Sequence, residues 1–369
     1  MPNLKFHEKY LLKAQKYSYN SIGKTFPNPS VGCIIVDYSK YKNGKIIAIG
    51  NTGINGRPHA EESALKNIKK TTKNTTMYLT LEPCYHQSVK LSCVNRIIKS
   101  GIKNIYIATK DPDKRTNNKS INKLKKNKIY VNLGLTKNLS LLYNRFFFIN
   151  KKKNRSYVKY KLAISKDFKI AKSNYDSKWI SNASSRKYGH ILRYRSDAIL
   201  TTYNTIKYDD PKLTIRTKNY FKYKNTIIIL DRKLKINIDS NIIKSSKKRK
   251  IIIFTMSQNK EKIGILKKMN CEIYKFRNTG KFFDMNFILK KCYKLGICSI
   301  LVEAGSKLFT YMYNKKLIDE LHLFYSKKII GKNGISMYES SKKLSFKKLD
   351  HLLIERKRFI NDQYYHYNM

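Results

Sequence analysis

The first half of the chain alternates amphipathic stretches with short apolar runs. Tyr10, Leu11, Ala14 and Tyr17 recur at helical spacing and predict an amphipathic first helix. Apolar runs then predict buried strands at residues 31–36, 45–50, 76–81 and 102–109, with a helix beginning near residue 61. This alternation is typical of a layered α/β domain with a parallel or mixed sheet.

The alternation restarts after a charged run at residues 151–155, which we take as the boundary between two domains, 1–150 and 151–369. A helix with a broad apolar face, residues 138–150, is expected to close the first domain. Buried strands are expected in the second domain at residues 157–164, 198–202, 225–230, 250–254 and 297–303. The second half shows no internal repeat of the first, so the chain is predicted to contain two unlike α/β domains.

Composition and net charge limit which kinds of partner these domains can have. With 369 residues and 41% hydrophobic content, the chain is long enough for two folded cores. Its net charge of +54 raises the alternative of a nucleic acid or an anionic membrane as partner. The lysines are spread along the whole chain, however, and asparagine, isoleucine and tyrosine are inflated with them. This pattern favours compositional drift over a basic binding patch, so a nucleic-acid partner is disfavoured.

Cysteine usage and hydropathy bear on the compartment. Six cysteines are too sparse for a disulfide scaffold. No apolar segment is long enough to span a membrane, and the N-terminus lacks the apolar core of a secretion signal. We therefore expect a reducing, cytoplasmic compartment and no membrane partner.

Residues 59–93 contain the ligand types of a hydrolytic zinc centre. Such a centre needs three protein ligands, an open fourth position for water and a base that is not a ligand. His59, Cys84 and Cys93 would supply the ligands, and Glu61 the base. His59 precedes a predicted helix and Cys84 follows a predicted strand, so both fall at ends of elements, where a shared metal can be held.

This set predicts hydrolytic deamination of an amino-heterocycle. Zinc lowers the pKa of water, hydroxide attacks an amidine-like carbon, and Glu61 carries the proton to the departing amine. Base deaminases carry His-x-Glu followed by Pro-Cys-x-x-Cys, whereas eight residues separate Cys84 from Cys93 here. The long loop points to a substrate other than a simple nucleoside. A closed structural zinc site with His86 as fourth ligand is the alternative, but it leaves Glu61 without a role.

Three motifs of the first half are informative as a set: Phe26-Pro27-Asn28-Pro29-Ser30-Val31-Gly32, His59-Ala60-Glu61 and Leu81-Glu82-Pro83-Cys84-Tyr85-His86. With eight residues between the thiols, they resemble the family of bifunctional riboflavin-biosynthesis deaminase/reductases. The resemblance implies a cytidine-deaminase-like three-layer α/β/α domain that deaminates a ribosylated, 5'-phosphorylated diaminopyrimidine. It also implies His59, Cys84 and Cys93 as zinc ligands and Glu61 as proton shuttle. The family's usual Gly-Arg-Thr-Pro-Pro is replaced by Ser-Val-Lys-Leu-Ser at residues 88–92, where Lys90 would supply the lost charge.

The second half contains weaker chemical signals. A small-residue turn at Ala304 and Gly305 follows a predicted strand and opens a predicted helix, so its backbone N–H groups can face an anion. The chain has no Gly-x-Gly-x-x-Gly motif, and a standard dinucleotide-binding fold is not expected. Taken alone, Asp209 and Asp210 are typical of a solvated turn, and Trp179 is typical of a core residue.

Short collinear motifs extend the family resemblance through this half: Lys161-Leu162-Ala163, Ser177-Lys178-Trp179-Ile180, Ser196-Asp197-Ala198-Ile199, Asp209-Asp210-Pro211-x-Leu213-Thr214-x-Arg216 and Val302-Glu303-Ala304-Gly305. They resemble the family's reductase domain, which implies a dihydrofolate-reductase-like α/β fold and NADPH-dependent reduction of the ribose at C1' to a ribityl chain. By this resemblance, the cofactor would contact Ala163, Trp179, Thr205, Asp209, Gly305, Ser306 and Lys307. The phosphorylated pyrimidine substrate would contact Ser177, Arg193, Leu213, Arg216 and Glu303, the arginines being suited to its phosphate.

One turn departs from the family. The usual Leu-Asp-Gly-Arg is replaced by Lys166-Asp167-Phe168-Lys169, and Phe168 in place of glycine is expected to remove the positive-φ option in this turn, although Asp167 stays. Two alternatives to the bifunctional enzyme therefore stay open: a deaminase with an inactive reductase-like domain, and a base deaminase that binds nucleic acid. The oligomeric state also stays open, and a homo-oligomer is one of the alternatives. The preference for NADPH over NADH stays open as well, with Arg232 as a candidate partner of the 2'-phosphate.

Overall fold

The computed structural model describes residues 4–40, 42–66, 68, 74–86, 91–176, 180–217, 224–276, 283–339 and 346–369. The chain divides into two compact units, Met1–Asn154 and Arg155–Met369. No helix in the described ranges is long and apolar enough to cross a membrane.

The first unit is built on a five-stranded mixed sheet. Its strands are β1 (Gly32–Asp37), β2 (Lys45–Asn51), β3 (Thr75–Leu79), β4 (Asn104–Ile107) and β5 (Tyr130–Leu133). Their order across the sheet is β2-β1-β3-β4-β5. β1 pairs antiparallel with β2 and β3, while β3, β4 and β5 run parallel. The strand positions expected from the apolar runs are confirmed, with shifts of up to two residues at their ends.

Helices cover both faces of this sheet. They are α1 (Leu4–Ser21), α2 (Ala60–Lys66), α3 (Cys93–Lys99), α4 (Lys119–Lys126), α5 (Lys137–Tyr143) and α6 (Arg145–Lys153). On one face, Leu11 and Ala14 of α1 pack against Ile34 and Tyr78 in a single hydrophobic cluster. The resulting three-layer α/β/α arrangement confirms the expected fold class of the first half.

The helix expected at residues 138–150 is interrupted. It is two helices, α5 and α6, separated at Asn144, whose φ of −113° is not helical. The buried Asn144 side chain accepts a hydrogen bond from the Ser30 backbone N–H at 2.8 Å and donates one to the Ser30 carbonyl at 2.9 Å. This tertiary contact fixes the break. Of the charged run expected to separate the domains, residues 151–153 end α6 and residues 154–155 follow it.

The second unit is built on a nine-stranded sheet with a two-stranded sheet beside it. Its strands are β6 (Tyr157–Ile164), β7 (Lys169–Ala171), β8 (Ala198–Thr202), β9 (Thr226–Leu230), β10 (Ile251–Thr255), β11 (Cys271–Lys275), β12 (Ser299–Val302), β13 (Glu320–Tyr325), β14 (Ile335–Ser336), β15 (Leu353–Phe359) and β16 (Asp362–Asn368). The large sheet has the order β11-β10-β9-β8-β12-β6-β13-β16-β15, and β7 pairs with β14. The seven strands from β11 to β13 are parallel, and β16 and β15 continue antiparallel.

Helices cover both faces of the large sheet as well, which explains why its parallel strands read as continuous apolar runs. They are α7 (Ala183–Tyr194), α8 (Tyr203–Asp209), α9 (Asn241–Lys244), α10 (Lys260–Lys268), α11 (Met285–Lys294) and α12 (Ser306–Asn314). α11 and α12 pack against alternate residues of β6, such as Val158 and Tyr160, and α10 packs on the opposite face against Ile227 and Ile229 of β9. The carboxyl ends of the parallel strands remain open between these layers, which is where such sheets bind ligands.

Candidate active sites

The first site is organised by the start of α2. His59 immediately precedes this helix, and its carbonyl accepts the Ser63 N–H at 2.9 Å. The helix can begin here because Gly50 of β2 has no side chain: a Cβ at Gly50 would lie 2.1 Å from the Ala60 carbonyl oxygen. This close approach buries Glu61 to 4% exposure and holds it beside His59.

The two cysteines come from the loop after β3 and the first residue of α3. The Cys93 N–H donates to Cys84 Sγ at 3.3 Å, and the Val94 N–H donates to the Cys84 carbonyl at 3.2 Å. His59 Nδ1 lies 3.2 Å from Cys93 Sγ. One ligand atom from each of His59, Cys84 and Cys93 lies within 4.8 Å of the other two.

This donor set fits zinc. With Zn–S bonds of about 2.3 Å and Zn–N bonds of about 2.1 Å, tetrahedral ligands lie about 3.6–3.8 Å apart, a separation between the 3.2 Å of the His59–Cys93 contact and the 4.8 Å that bounds the set. Three protein ligands leave a fourth position for water or substrate, which is the pattern of a catalytic centre. His86 does not belong to the group of ligands found among the described residues; its Nδ1 lies 3.4 Å from Thr116 Oγ1. The geometry therefore favours the open site over the closed structural one.

The electrostatics of this site follow from burial and mutual contact. The hydrogen bond from Cys93 lowers the pKa of Cys84 to about 4, so this thiol is a ready anionic ligand. Burial opposes ionisation of His59, but its hydrogen bond to Cys84 and the charges of Glu61 and Cys84 raise its pKa overall. Burial also raises the pKa of Glu61 to about 7, a value suited to a group that both takes and gives a proton.

A second group of metal-ligating types, Glu320, His322 and His366, lies on β13 and β16. The rings of His322 and His366 are stacked, with centroids 4.4 Å apart and 22° between their planes. A metal lies in the plane of each imidazole that binds it, and two nearly parallel planes do not meet within a bond length of about 2.1 Å. The group is instead a hydrogen-bonded cluster, in which Glu320 Oε2 lies 3.1 Å from His322 Nε2.

The second unit contains a cavity of about 900 Å³ at the carboxyl ends of β6, β8, β9 and β12. α7, the N-terminal end of α12 and residues 211–216 form its other walls. Each expected cofactor and substrate residue that the structure describes lines it. They are Ala163, Thr205, Asp209, Gly305, Ser306, Lys307, Arg193, Leu213, Arg216 and Glu303. Ser177 and Trp179, expected to contact substrate and cofactor, lie outside the described residues, as does Lys90.

The floor of the cavity carries a partly buried ion pair. Arg193 Nε donates to Glu303 Oε1 at 2.6 Å, and Nη2 donates to Oε2 at 3.0 Å. Burial would raise the pKa of Glu303, but the Arg193 charge and these hydrogen bonds lower it to about 2. Glu303 is therefore an anion whose carboxylate is held in one orientation.

Several cavity residues were not singled out from the sequence, among them Lys161, Arg186 and His190. Lys161 lies two residues before Ala163 on β6, so strand alternation puts both on one face. His190 lies one turn before Arg193 on α7, and that spacing alone could have indicated it. Arg232, weighed as a cofactor contact, also lines the cavity.

The two units thus define a class of protein: a two-site enzyme with a zinc-type hydrolytic centre in one α/β unit and a deep ligand cavity in a second, mostly parallel one. Comparisons with known proteins agree. Residues 4–109 match the cytidine and deoxycytidylate deaminase zinc-binding region, and residues 156–357 match the RibD C-terminal domain.

Relatives similar to the chain span nearly its full length. The riboflavin biosynthesis protein RibD of Aquifex aeolicus is 34% identical, covering 93% of this chain and 95% of its own. That of Buchnera aphidicola is 32% identical, covering 87% of each. A solved deaminase/reductase structure from Thermotoga maritima is 28% identical, with a TM-score of 0.84 and 99% of both chains covered.

The chain belongs to the RibD family, the bifunctional deaminase/reductases of riboflavin biosynthesis. Zinc and NADPH are the cofactors of this family's two activities. The family and the fold class predicted from the motifs are confirmed. Because both family models match, each in its own half, the bifunctional enzyme is favoured over a base deaminase acting on nucleic acid.

Proposed function

We propose that the chain carries out two successive steps: hydrolytic deamination of 2,5-diamino-6-(5-phosphoribosylamino)pyrimidin-4-one, then NADPH-dependent reduction of the product's ribose. The Thermotoga maritima protein is described as a diaminohydroxyphosphoribosylaminopyrimidine deaminase and 5-amino-6-(5-phosphoribosylamino)uracil reductase, which supports this substrate pair. Met1–Asn154 would carry the first step and Arg155–Met369 the second.

The arrangement of His59, Cys84 and Cys93 beside a buried Glu61 carries the first half of the proposal. Zinc held by these three side chains supplies Lewis acidity and lowers the pKa of water. Glu61 accepts a proton from the attacking water and delivers it to the departing amino group, so that one water is consumed and one ammonia released. The burial of Glu61 excludes bulk water from this proton path.

In the reductase step, the side chains of the cavity would bind and orient the cofactor and the substrate. NADPH, when bound, would supply the hydride for C1' of the ribose; opening of the C1'–O4' bond with protonation of O4' would give the ribityl chain and NADP⁺. The N–H groups that begin α12 after Gly305 would face a cofactor phosphate. Arg216 would bind the substrate phosphate, because three N–H donors of Arg193 are already hydrogen-bonded to Glu303 and to the Thr214 carbonyl. Ala163 and Thr205 would flank the cofactor.

Glu61→Gln tests the first step, since glutamine keeps the shape of the side chain but cannot carry the proton. We expect ammonia release to fall by about 10²–10⁴-fold while NADPH oxidation on pre-deaminated substrate is unchanged. Zinc content measured on the same preparation is the control, because the ligands are untouched. Retention of ammonia release with full zinc would contradict the role given to Glu61.

A deaminase with an inactive reductase-like domain is the second candidate, because Phe168 replaces the family's glycine. Steady-state NADPH oxidation with deaminated substrate decides between the two. The six cysteines are free thiols, which supports a reducing, cytoplasmic compartment, and the small anionic substrates need no macromolecular partner. A homo-oligomer is compatible with the proposal and is tested by light scattering.

A further inference from the structure

One wall of the reductase cavity is an irregular segment. Residues 210–217 contain no helix or strand, yet they bring Leu213 and Arg216 to the cavity. Leu213 has a φ of +44°, a conformation that a leucine adopts only when its surroundings impose it. Because Arg216 has no secondary structure to fix its place, other contacts must position it.

Two side chains of α7 hold this segment at the Thr214 carbonyl. Arg193 Nη1 donates to it at 2.8 Å, and His190 Nδ1 lies 2.9 Å from it. The Arg216 backbone nitrogen is 3.3 Å from the same His190 nitrogen. His190 thus lies against the chain on both sides of Ile215, whose side chain is buried.

Nδ1 of His190 has two backbone partners that require opposite tautomers. The Arg216 N–H points at Nδ1 and is accepted only when Nδ1 carries no proton, whereas the Thr214 carbonyl accepts only from a protonated Nδ1. Burial, reinforced by the charge of Arg193, lowers the pKa of His190 and favours the neutral ring. In either neutral tautomer, Nδ1 makes one hydrogen bond to the backbone of residues 214–216 and ties this segment to α7.

We infer that His190 is a positioning residue for substrate binding: through its hydrogen bond to the backbone of Thr214 or Arg216, it fixes the segment that presents Arg216 to the substrate phosphate. The inference rests on the proposed phosphate role of Arg216. His190 need not touch the substrate to act in this way.

The test compares two replacements of His190 with Arg216→Gln and with a control on the same helix. His190→Asn keeps a hydrogen-bonding amide near the position of Nδ1, whereas His190→Leu removes all hydrogen bonding there. Lys187→Gln is the control, because Lys187 is an exposed residue of α7 that does not line the cavity. Each variant is assayed for NADPH oxidation with the phosphorylated aminouracil riboside and with its dephosphorylated analogue, and ammonia release from the same sample reports active protein.

For the phosphorylated substrate, we expect His190→Leu to raise KM by about tenfold with little change in kcat. For the dephosphorylated analogue, KM should not change, because no phosphate is present for Arg216 to bind. His190→Asn should restore most of the affinity. In the double variant with Arg216→Gln, KM should be no higher than in Arg216→Gln alone, because both changes remove one interaction.

Two results would overturn the inference, and they differ from failure of the proposed function. If Arg216→Gln raises KM for the phosphorylated substrate but His190→Leu does not, His190 does not position Arg216. If His190→Leu raises KM equally for both substrates, its effect is on the general shape of the cavity. If Arg216→Gln has no effect on KM, the phosphate role itself is wrong. His190→Asn remains interpretable if the leucine variant fails to fold.

Discussion

At position 168 a phenylalanine occupies a backbone conformation that usually belongs to glycine. Its φ is +60°. The turn is held from both sides, since the Phe168 N–H donates to Ser165 O at 3.0 Å and the Phe168 carbonyl accepts the Met337 N–H at 3.0 Å. The expectation that phenylalanine would remove the positive-φ option is wrong: the turn keeps the glycine-like geometry and carries the strain.

Phe168→Gly should therefore stabilise the second unit. Relief of the left-handed strain is expected to contribute about 1 kcal/mol, which corresponds to about 2–4 °C in the thermal midpoint of a unit this size. Phe168→Ala is the matched control, because it removes the half-exposed ring and its contact with Tyr325 but keeps the strain. Equal midpoints for the glycine and alanine variants would show that the turn is not strained.

At the scale of elements, three neighbouring strands share a buried polar cluster. On β13, Glu320 lies 3.1 Å from His322, and on β16, His366 lies 3.5 Å from Glu320. Tyr364 of β16 is 2.8 Å from His322 Nδ1, and the partly buried Lys159 of β6 is paired in register with Glu320. Against the effect of burial, the hydrogen bond with His322 and the nearby His366 hold the pKa of Glu320 well below its usual range.

This cluster predicts that β13 loses stability in mild acid. Burial lowers the pKa of His322 to about 4. The pKa of His322 is about 6.5 in the unfolded chain. Between that pH and about pH 4, the unfolded chain binds a proton that the folded strand excludes, so stability falls as the pH falls through this window. The expected loss between pH 7 and pH 5 is about 2 kcal/mol.

Hydrogen exchange of the β13 amides at the two pH values measures this loss directly, without treating the two-unit chain as a single transition. In His322→Gln, which cannot titrate, the difference between pH 7 and pH 5 should shrink. An unchanged pH dependence in this variant would assign the effect to another group.

The same elements show what the sequence can and cannot predict. β6 and β8 lie at the residues expected, because a buried parallel strand needs little more than a short apolar run. The break at Asn144 was not predictable, because it depends on Ser30, which lies 114 residues away. The contact of His190 with the Thr214 carbonyl, 24 residues further on, was not predictable for the same reason, although the spacing from Arg193 on α7 indicates the residue itself. The residues of the zinc-type site were found because ligand chemistry restricts residue type as well as spacing.

At the scale of the whole molecule, 78 lysines and arginines face only 24 acidic residues. Such an excess of one sign destabilises the folded state through self-repulsion, and salt screens that repulsion. Raising NaCl from about 20 mM to about 300 mM shortens the Debye length from about 20 Å to about 6 Å. Since screening weakens long-range repulsion more than short contacts, the thermal midpoint should rise, by about 2–5 °C.

The prediction separates dispersed charge from a dedicated anion site. Tetramethylammonium chloride should match NaCl at equal ionic strength, whereas sodium phosphate should stabilise further only if a specific anion site is filled. A fall in the midpoint with NaCl would mean that attractive pairs outweigh the repulsion, contrary to the excess of basic residues. If RNA bound tightly at low salt, and the fall of its affinity with added salt corresponded to several phosphate contacts, the basic residues would form a binding surface. RNA affinity that does not depend on salt, together with a thermal midpoint that rises with NaCl, would instead support compositional drift.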